Sequence, residues 1–222
     1  MSTVPALRTA RAAALALAAL VQAAPAGAGD RPGDFDFYVL SLSWSPSYCE
    51  AEGDRRRDAQ CERPFSFVVH GLWPQRERGY PADCPTAAGR LPDALIRAQL
   101  DIFPAFGLII HQWRKHGTCS GLTPADYFKA ARRAYEAVRV PAEFERLASP
   151  RMVGVGDVED GFRKSNPGLD PDEMAVTCDD RRLREIRICF TRDLSGFRSC
   201  PEVDGDACRR SRVFMPAVRG GR

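Results

Sequence analysis

The sequence predicts a single α+β domain in which a central antiparallel sheet packs against helices and disulfides brace the chain. Three observations predict this fold class. Strand-like and helix-like segments do not alternate as regularly as in a doubly wound parallel sheet. About 193 residues follow an N-terminal leader, which suits one domain with a sizeable core. All eight cysteines lie after that leader, and an even number is typical of a disulfide framework in an exported protein.

The N-terminal segment, residues 1–29, has the features of a secretory signal peptide. Arg8 and Arg11 precede an apolar run that extends from residue 12 to residue 21, and small residues follow as cleavage candidates. The run is far shorter than the roughly 20 residues that span a bilayer. We therefore expect residues 30–222 to form one exported domain, periplasmic or secreted, that leaves the membrane after cleavage and is monomeric.

Three segments predict strands. Residues 35–44 are rich in aromatic and branched side chains, residues 66–70 form a short apolar run, and residues 183–190 alternate apolar and charged side chains. Because Gly71 and Pro74 follow the second run, we expect that strand to end at His70 and to present its ring there.

Helical signals lie between these strands. Thr123, Pro124 and Asp126 provide a cap, a first-turn proline and a capping-box acid ahead of apolar residues at helical spacing. Residues 111–116 predict a short helix that ends at a glycine, and residues 157–164 predict a further one.

Histidine is scarce, and its placement is informative. The chain has three, and they fall in two segments, F-V-V-H-G-L-W-P-Q at 67–75 and H-Q-W-R-K-H-G-T-C at 111–119. If the second segment is helical, Gln112 shares a face with His116, and His111 shares one with Lys115. Because histidine titrates near neutrality, two of them can act as base and acid in one reaction step.

The charge balance indicates how a polyanion would be held. The full chain has 32 basic and 29 acidic residues, and without the two leader arginines the balance is 30 against 29. Proteins that bind nucleic acid mainly by neutralising phosphates usually have a strong basic excess. If the substrate is RNA, groups in a cleft must therefore provide the binding.

The two histidine segments closely resemble the paired catalytic segments of the ribonuclease T2 family. The family pattern is roughly F-x-x-H-G-L-W-P, followed some forty residues later by H-E-W-x-K-H-G-T-C. Every letter of the first is matched here, and all but one of the second. The resemblance extends more loosely from Phe35 to Pro201. It implies an endoribonuclease that needs no metal or cofactor, cuts single-stranded RNA with little base preference, and leaves 2′,3′-cyclic phosphate ends.

The resemblance also implies roles for individual residues. His116 would be the base and His70 the acid, although these two labels can be exchanged. Lys115 would stabilise charge in the transition state, and His111 would hold a phosphate oxygen. Gln112 stands where the family usually has glutamate, so it lacks the negative charge that raises a neighbouring histidine's pKa. We therefore expect reduced or pH-shifted activity.

Base binding and disulfide pairing follow from the same resemblance. Trp73 would stack on a base, and Tyr80 is a second candidate. Residues 103–107 replace the family's usual linker, so a second base subsite cannot be transferred. Eight cysteines allow 105 pairings. The resemblance pairs Cys84 with Cys119, Cys178 with Cys208 and Cys189 with Cys200, which leaves Cys49 with Cys61.

Two other functions remain open at this point. The first is a protein of the same fold that binds RNA or a protein partner and has weakened catalysis, which Gln112 favours. The second is a zinc hydrolase, but His111 and His116 lack the H-E-x-x-H spacing and have no carboxylate between them.

Overall fold

The computed structural model describes residues 1, 30–53 and 58–219. The expected signal peptide therefore lies outside the described residues. No helix in the described part of the chain is long and apolar enough to cross a membrane.

The centre of the fold is a four-stranded antiparallel sheet with the order β2-β1-β5-β4. A separate antiparallel pair joins β3 and β6. The strands are β1 (Phe37–Trp44), β2 (Phe67–Gln75), β3 (Arg151–Gly154), β4 (Met174–Cys178), β5 (Leu183–Thr191) and β6 (Arg212–Met215). The predicted α+β class is confirmed.

Seven α-helices surround the sheet in the described part of the chain. They are α1 (Ser45–Tyr48), α2 (Asp93–Arg97), α3 (Phe106–Lys115), α4 (Pro124–Glu136), α5 (Ala142–Glu145), α6 (Val155–Ser165) and α7 (Pro201–Gly205). Helix α4 begins as predicted, because the Thr123 side chain accepts a hydrogen bond from the Asp126 N–H. Helix α6 contains the predicted segment 157–164 and extends beyond it, whereas α3 begins five residues before the predicted segment 111–116 and ends one residue before its end.

The two faces of the sheet differ in what they bury. Leu40 and Leu42 of β1 point into the main core, which Trp113 of α3 and Phe128 of α4 help to fill. Val39 points to the opposite face, into a smaller apolar cluster under α7. Because β1 is covered on both sides, nearly every residue in it is buried. The second face is the one that carries the candidate site.

The predicted end of the second strand is wrong. Strand β2 continues past His70 and Gly71 and includes Pro74, which pairs with Tyr38 of β1. A proline has no N–H to donate, but β2 is an edge strand of the described sheet, where a missing donor is tolerated. His70 therefore lies in the middle of β2.

Four disulfides brace the domain, and they are the pairs that the resemblance implied. Cys84–Cys119 ties the loop after β2 to the turn after α3, and Cys189–Cys200 ties β5 to the start of α7. The other two are Cys49–Cys61 and Cys178–Cys208. On the chain-entropy model, closing loops of 35 and 30 residues stabilises the fold by about 3–4 kcal/mol each.

Candidate active site

The two histidine segments meet at a cavity of about 350 Å³ beside β2, which we call the histidine cavity. Strand β2 and the loop after it supply four of its lining residues, and helix α3 and the residue that ends it supply another four. The seven catalytic and base-binding candidates from the sequence all line it: His70, Trp73, Tyr80, His111, Gln112, Lys115 and His116. Residues from two distant stretches of the chain therefore share one site.

A β-bulge aims His70 at this cavity. Adjacent residues of β1 pair with Gly71 and Val69, so His70 between them has no direct partner in the ladder. In a regular strand His70 would lie on the same face as the core residue Leu72. A bulge re-aims a side chain, and the His70 ring instead lies 5.4 Å from the ring of Trp73, centroid to centroid.

His70 is held by a carboxylate from β5. Its Nδ1 lies 2.5 Å from Oε1 of Glu185, whose side chain is 11% exposed. The other carboxylate oxygen accepts from the Arg187 guanidinium at 3.1 Å. Burial raises the pKa of Glu185, but the hydrogen bond and charge of His70 and the charge of Arg187 outweigh it and hold that pKa at about 2. Glu185 is therefore a carboxylate throughout the neutral range.

His116 has a different environment. It ends α3, where its N–H donates to the Gln112 carbonyl at 3.0 Å, and the residue is 6% exposed. Its ring stacks on Trp73 at 5.3 Å, and its buried Nδ1 has no hydrogen-bond partner among the described residues. Burial, followed by the nearby charge of Lys115, lowers the pKa of His116 to about 3. The ring is therefore neutral at pH 7.

Trp73 links β2 to α3. Its indole Nε1–H donates to Oε1 of the buried Gln112 at 2.8 Å. This hydrogen bond passes close over Gly71, where an added Cβ would lie 2.2 Å from the Gln112 oxygen and 2.3 Å from the indole nitrogen. Only glycine leaves that space, so the sequence H-G-L-W has a packing reason as well as a chemical one.

The other predicted residues lie nearer to solvent. Tyr80 is 51% exposed, and its ring is 6.1 Å from that of His116. His111 is exposed and Lys115 is half-buried, and both face the cavity from α3. The exposed rim therefore carries the aromatic and cationic groups, while Gln112 and His116 form the buried floor.

A second cavity of about 530 Å³ lies next to the first and shares His70 and His111 with it, and Glu185 lines this second cavity. Tyr48 and Asp58, from the segment after β1, also line this cavity. The Tyr48 hydroxyl donates a hydrogen bond to the Asp58 carboxylate at 2.8 Å. His70 and His111 therefore lie between the two cavities.

The sequence analysis did not select Glu185 and Arg187 for the site. Their signal was present, because they are two residues apart on a predicted strand and are therefore expected to share one face with each other. The sequence does not show the strand order, which places β5 two strands from β2. It also does not show the bulge that brings His70 toward Glu185. Within the described residues, no three histidine, cysteine or acidic side chains are grouped so that they could hold a metal ion.

Comparison with known proteins places the chain in a family. A model of the Ribonuclease T2 family matches residues 35–200. The chain belongs to the ribonuclease T2 family. A ribonuclease of Aeromonas hydrophila is 33% identical over 174 residues, which are 77% of this chain and 78% of that protein. Ribonuclease I of Escherichia coli is 27% identical over 206 residues, 72% of this chain and 77% of that protein.

Solved structures agree on the fold. Trichomaglin, described as an S-like ribonuclease, superposes with a TM-score of 0.68 at 22% identity, covering 84% of this chain and all of that one (100%). RNase NT in complex with 5′-AMP superposes with a TM-score of 0.56 at 22% identity, covering 83% of this chain and 99% of that one. Family membership and named relatives make this T2 protein an endoribonuclease.

Proposed function

We propose that this T2 protein cleaves single-stranded RNA by transphosphorylation, with His116 as the base and His70 as the acid. One observation carries the proposal: two imidazoles from distant segments line the same cavity, one neutral and buried, the other bonded to a carboxylate. Two such rings can pass protons in opposite directions within a single step.

In this reaction the RNA supplies its own nucleophile. His116 takes the proton of a ribose 2′-OH, the 2′ oxygen forms a bond to phosphorus, and the bond from phosphorus to the 5′ oxygen breaks. His70 gives its proton to that 5′ oxygen. The products are a 2′,3′-cyclic phosphate and a 5′-OH, so DNA, which has no 2′-OH, is not cut. The step needs neither a metal nor a cofactor.

The environments of the two rings favour this assignment over the reverse. His116 is neutral at pH 7, because burial and then Lys115 lower its pKa, so it can accept a proton. Binding of the negatively charged phosphodiester raises its affinity for that proton. Glu185 faces His70 and stabilises the positive charge that an acid carries before it gives up its proton.

Two cationic or polar groups of α3 supply electrostatic help. Lys115 and His111 face the cavity that both rings line. A positive charge placed where negative charge develops on the phosphorane typically contributes about 3–4 kcal/mol to catalysis. We assign that role to Lys115 and assign His111 to a non-bridging phosphate oxygen.

Base binding in this proposal depends on stacking. Trp73 and Tyr80 line the cavity beside His116. Stacking on an aromatic ring is worth about 1–3 kcal/mol per base and tolerates any base, which fits low specificity and requires unpaired bases. RNase NT, which shares the fold, has been solved with a bound nucleotide, 5′-AMP.

We also propose that residues 1–29 direct export and that the domain acts as a monomer in the periplasm or outside the cell. Four disulfides suit an oxidising compartment. Comparing the N-terminal residue of the protein purified from culture medium and from a periplasmic extract tests the export route.

The rival function is a T2-fold protein that binds RNA or a protein partner with weakened catalysis, and Gln112 is the observation that favours it. An RNA gel assay in excess EDTA separates the two. Cleavage to cyclic-phosphate ends supports the proposal, whereas intact RNA supports the binder. Activity that appears only without EDTA would instead indicate a metal-dependent hydrolase.

A further inference from the structure

We propose that Glu185 is a positioning residue for the reaction, which holds Nδ1 of His70 as an N–H and leaves Nε2 as the proton-exchanging atom, while Arg187 holds Glu185 in place. This inference rests on the proposed function for its catalytic consequence. The contacts that support it are independent of that function.

The first step is the bonding of the carboxylate. Oε1 of Glu185 lies 2.5 Å from Nδ1 of His70 and also accepts from the Ser43 hydroxyl at 3.4 Å. Oε2 accepts from Arg187 at 3.1 Å. Both oxygens are therefore engaged, and the side chain is 11% exposed. Such a carboxylate has little freedom to rotate away.

The second step fixes the tautomer of the ring. An ionised carboxylate only accepts hydrogen bonds, so the nitrogen facing it must be the donor. Nδ1 of His70 is therefore an N–H in both the neutral and the charged ring. Nε2 is the one remaining ring nitrogen that can give a proton to RNA or take one back. A free histidine populates both tautomers, and one of them would point the wrong nitrogen at the substrate.

The third step is the backbone that makes the contact possible. Glu185 pairs with Ser43 of β1, and Ser43 pairs with Val68 of β2, so the carboxylate and the histidine strand are two strands apart. The bulge at His70 turns its ring to the face that Glu185 occupies. Arg187 then spans from Glu185 to the face of Trp73, where its guanidinium carbon lies 5.3 Å from the ring centroid. On β5, Glu185 thus contacts His70, and Arg187 contacts Trp73.

The charged and titratable groups that line the two cavities beside His70 come from β5, from α3 and its end, and from the segments around them. Those on β5 are Arg184, Glu185 and Arg187, those on α3 and its end are His111, Lys115 and His116, and the others are Tyr48, Glu52, Asp58, Tyr80, Glu202 and Asp206. Among them, Glu185 is hydrogen-bonded to the His70 ring. The Lys115 ammonium on α3 repels a charged His70, and the Glu185 carboxylate offsets that repulsion.

The first experiment observes the ring directly in the native protein. The chain has three histidines, so ¹⁵N-labelled imidazoles give a spectrum that single His→Gln variants can assign. We expect His70 to show a protonated Nδ1 and a bare Nε2 above its titration range. A bare Nδ1 with a protonated Nε2 would overturn the inference, whatever the enzyme assay shows.

The second experiment measures the catalytic consequence. Glu185→Gln keeps an acceptor for Nδ1 but removes the charge. We expect kcat to fall about 10- to 100-fold with KM little changed, and the alkaline limb of the kcat/KM profile to move to lower pH, because the acid loses its stabilising partner. Glu185→Asp should restore part of both. Glu136→Gln removes an exposed carboxylate near Arg132 on α4. It is the matched control and should change neither kcat nor the alkaline limb.

Thermal unfolding of each variant separates loss of fold from loss of position. If Glu185→Gln is unfolded, Glu185→Asp and the spectrum of the native protein still decide. A folded Glu185→Gln with native kcat and a native alkaline limb contradicts the positioning role. If His70→Ala also retains full turnover, the proposed function is wrong. The bonding of His70 is then tested by the ¹⁵N spectrum of the native protein alone.

Discussion

The two histidines of the cavity show how one kind of ring acquires two chemistries from its surroundings. His70 lies on a strand, is about one-third exposed in its side chain, and is bonded to a buried carboxylate. His116 ends a helix, is 6% exposed, and has no partner for Nδ1 in the described structure. One environment stabilises a positive ring and the other a neutral one. In the proposed reaction, these two environments support His70 as the acid and His116 as the base, two roles that the sequence leaves exchangeable.

Removing either ring gives the largest expected effect. His70→Ala and His116→Ala each delete one proton transfer, and general acid or base catalysis typically contributes about 10²–10⁴-fold. We expect turnover of polyuridylate to fall by that factor in each variant. Arg114→Ala, on the exposed side of the same helix, is the control. Native turnover in either histidine variant would contradict the proposed role of that histidine in proton transfer.

Removing the charge of Lys115 should have the next largest effect. Lys115→Met keeps the aliphatic stem and deletes the cation, so kcat should fall about 10²–10³-fold, as for other preplaced transition-state groups. Steady-state kinetics on a dinucleotide measures it. Lys129→Met removes an exposed lysine that pairs with Asp126 on α4 and should leave kcat unchanged. A loss confined to KM would assign Lys115 to substrate binding.

The neutral His116 also predicts how stability depends on pH. Its folded-state pKa is about 3, below its ordinary value of 6.5. Below pH 6.5 the unfolded chain binds a proton that the folded chain does not, so stability falls as the pH falls from 6.5 toward 3, by up to about 1.4 kcal/mol per pH unit. Urea unfolding between pH 6.5 and 4.5 measures this.

The range from pH 6.5 to pH 4.5 excludes most of the contribution that Glu185 makes to stability. Its folded-state pKa of about 2 lies below the ordinary 4.5, so its contribution to stability is present above pH 4.5 and is lost as the pH falls from 4.5 to 2. A His116→Gln variant should show a smaller slope between pH 6.5 and 4.5 than the native protein. Equal slopes would show that His116 accepts its proton freely in the folded state.

The link between the two histidine segments can be broken at a position that does no chemistry. In Gly71→Ala the new Cβ would lie 2.2 Å from the Gln112 oxygen, so the Trp73–Gln112 hydrogen bond must open. We expect a loss of about 1–3 kcal/mol in the free energy of unfolding, together with lower activity. Gly156→Ala, where nothing lies within 4 Å, is the control. A thermally unaffected, fully active Gly71→Ala would show that this link is dispensable.

The smallest expected effect concerns Gln112 itself. Gln112→Glu places a negative charge near His116 and should shift the pH–rate profile of the enzyme, with higher activity, because a carboxylate raises a neighbouring histidine's pKa. The side chain must still accept from Trp73, which a carboxylate oxygen can do. Superimposable profiles would show that the amide is not what limits this enzyme.

Local patterns in the sequence were enough to predict the fold class, three strands and the capped helix α4, and the resemblance of the two histidine segments to a known family indicated seven of the residues that line the cavity. Thr123 and Asp126 succeed because a capping motif is complete within four residues. The course of β2 was predicted wrongly, because Pro74 ends a central strand but not an edge strand, and only the strand order shows which one β2 is. The short strands β3 and β6 pair across some sixty residues, which no local pattern indicates.

The same distinction applies to the site. His70 and His116 were found because a motif surrounds each of them, whereas Glu185 reaches the site through long-range pairing with β1 and a bulge in β2. A charged residue on a predicted strand gives no indication of which partner it faces. The carboxylate that is bonded to His70 was therefore the group that sequence alone could not place.

The central claim, that His116 removes a proton while His70 donates one to the leaving oxygen, is tested most directly with a substrate whose bridging 5′ oxygen is replaced by sulfur. A thiolate leaves without protonation, so it makes the acid unnecessary and the base still essential. We predict that this substrate restores near-native cleavage to His70→Ala and leaves His116→Ala inactive. Restoration of His116→Ala instead, or of both variants equally, would contradict the account.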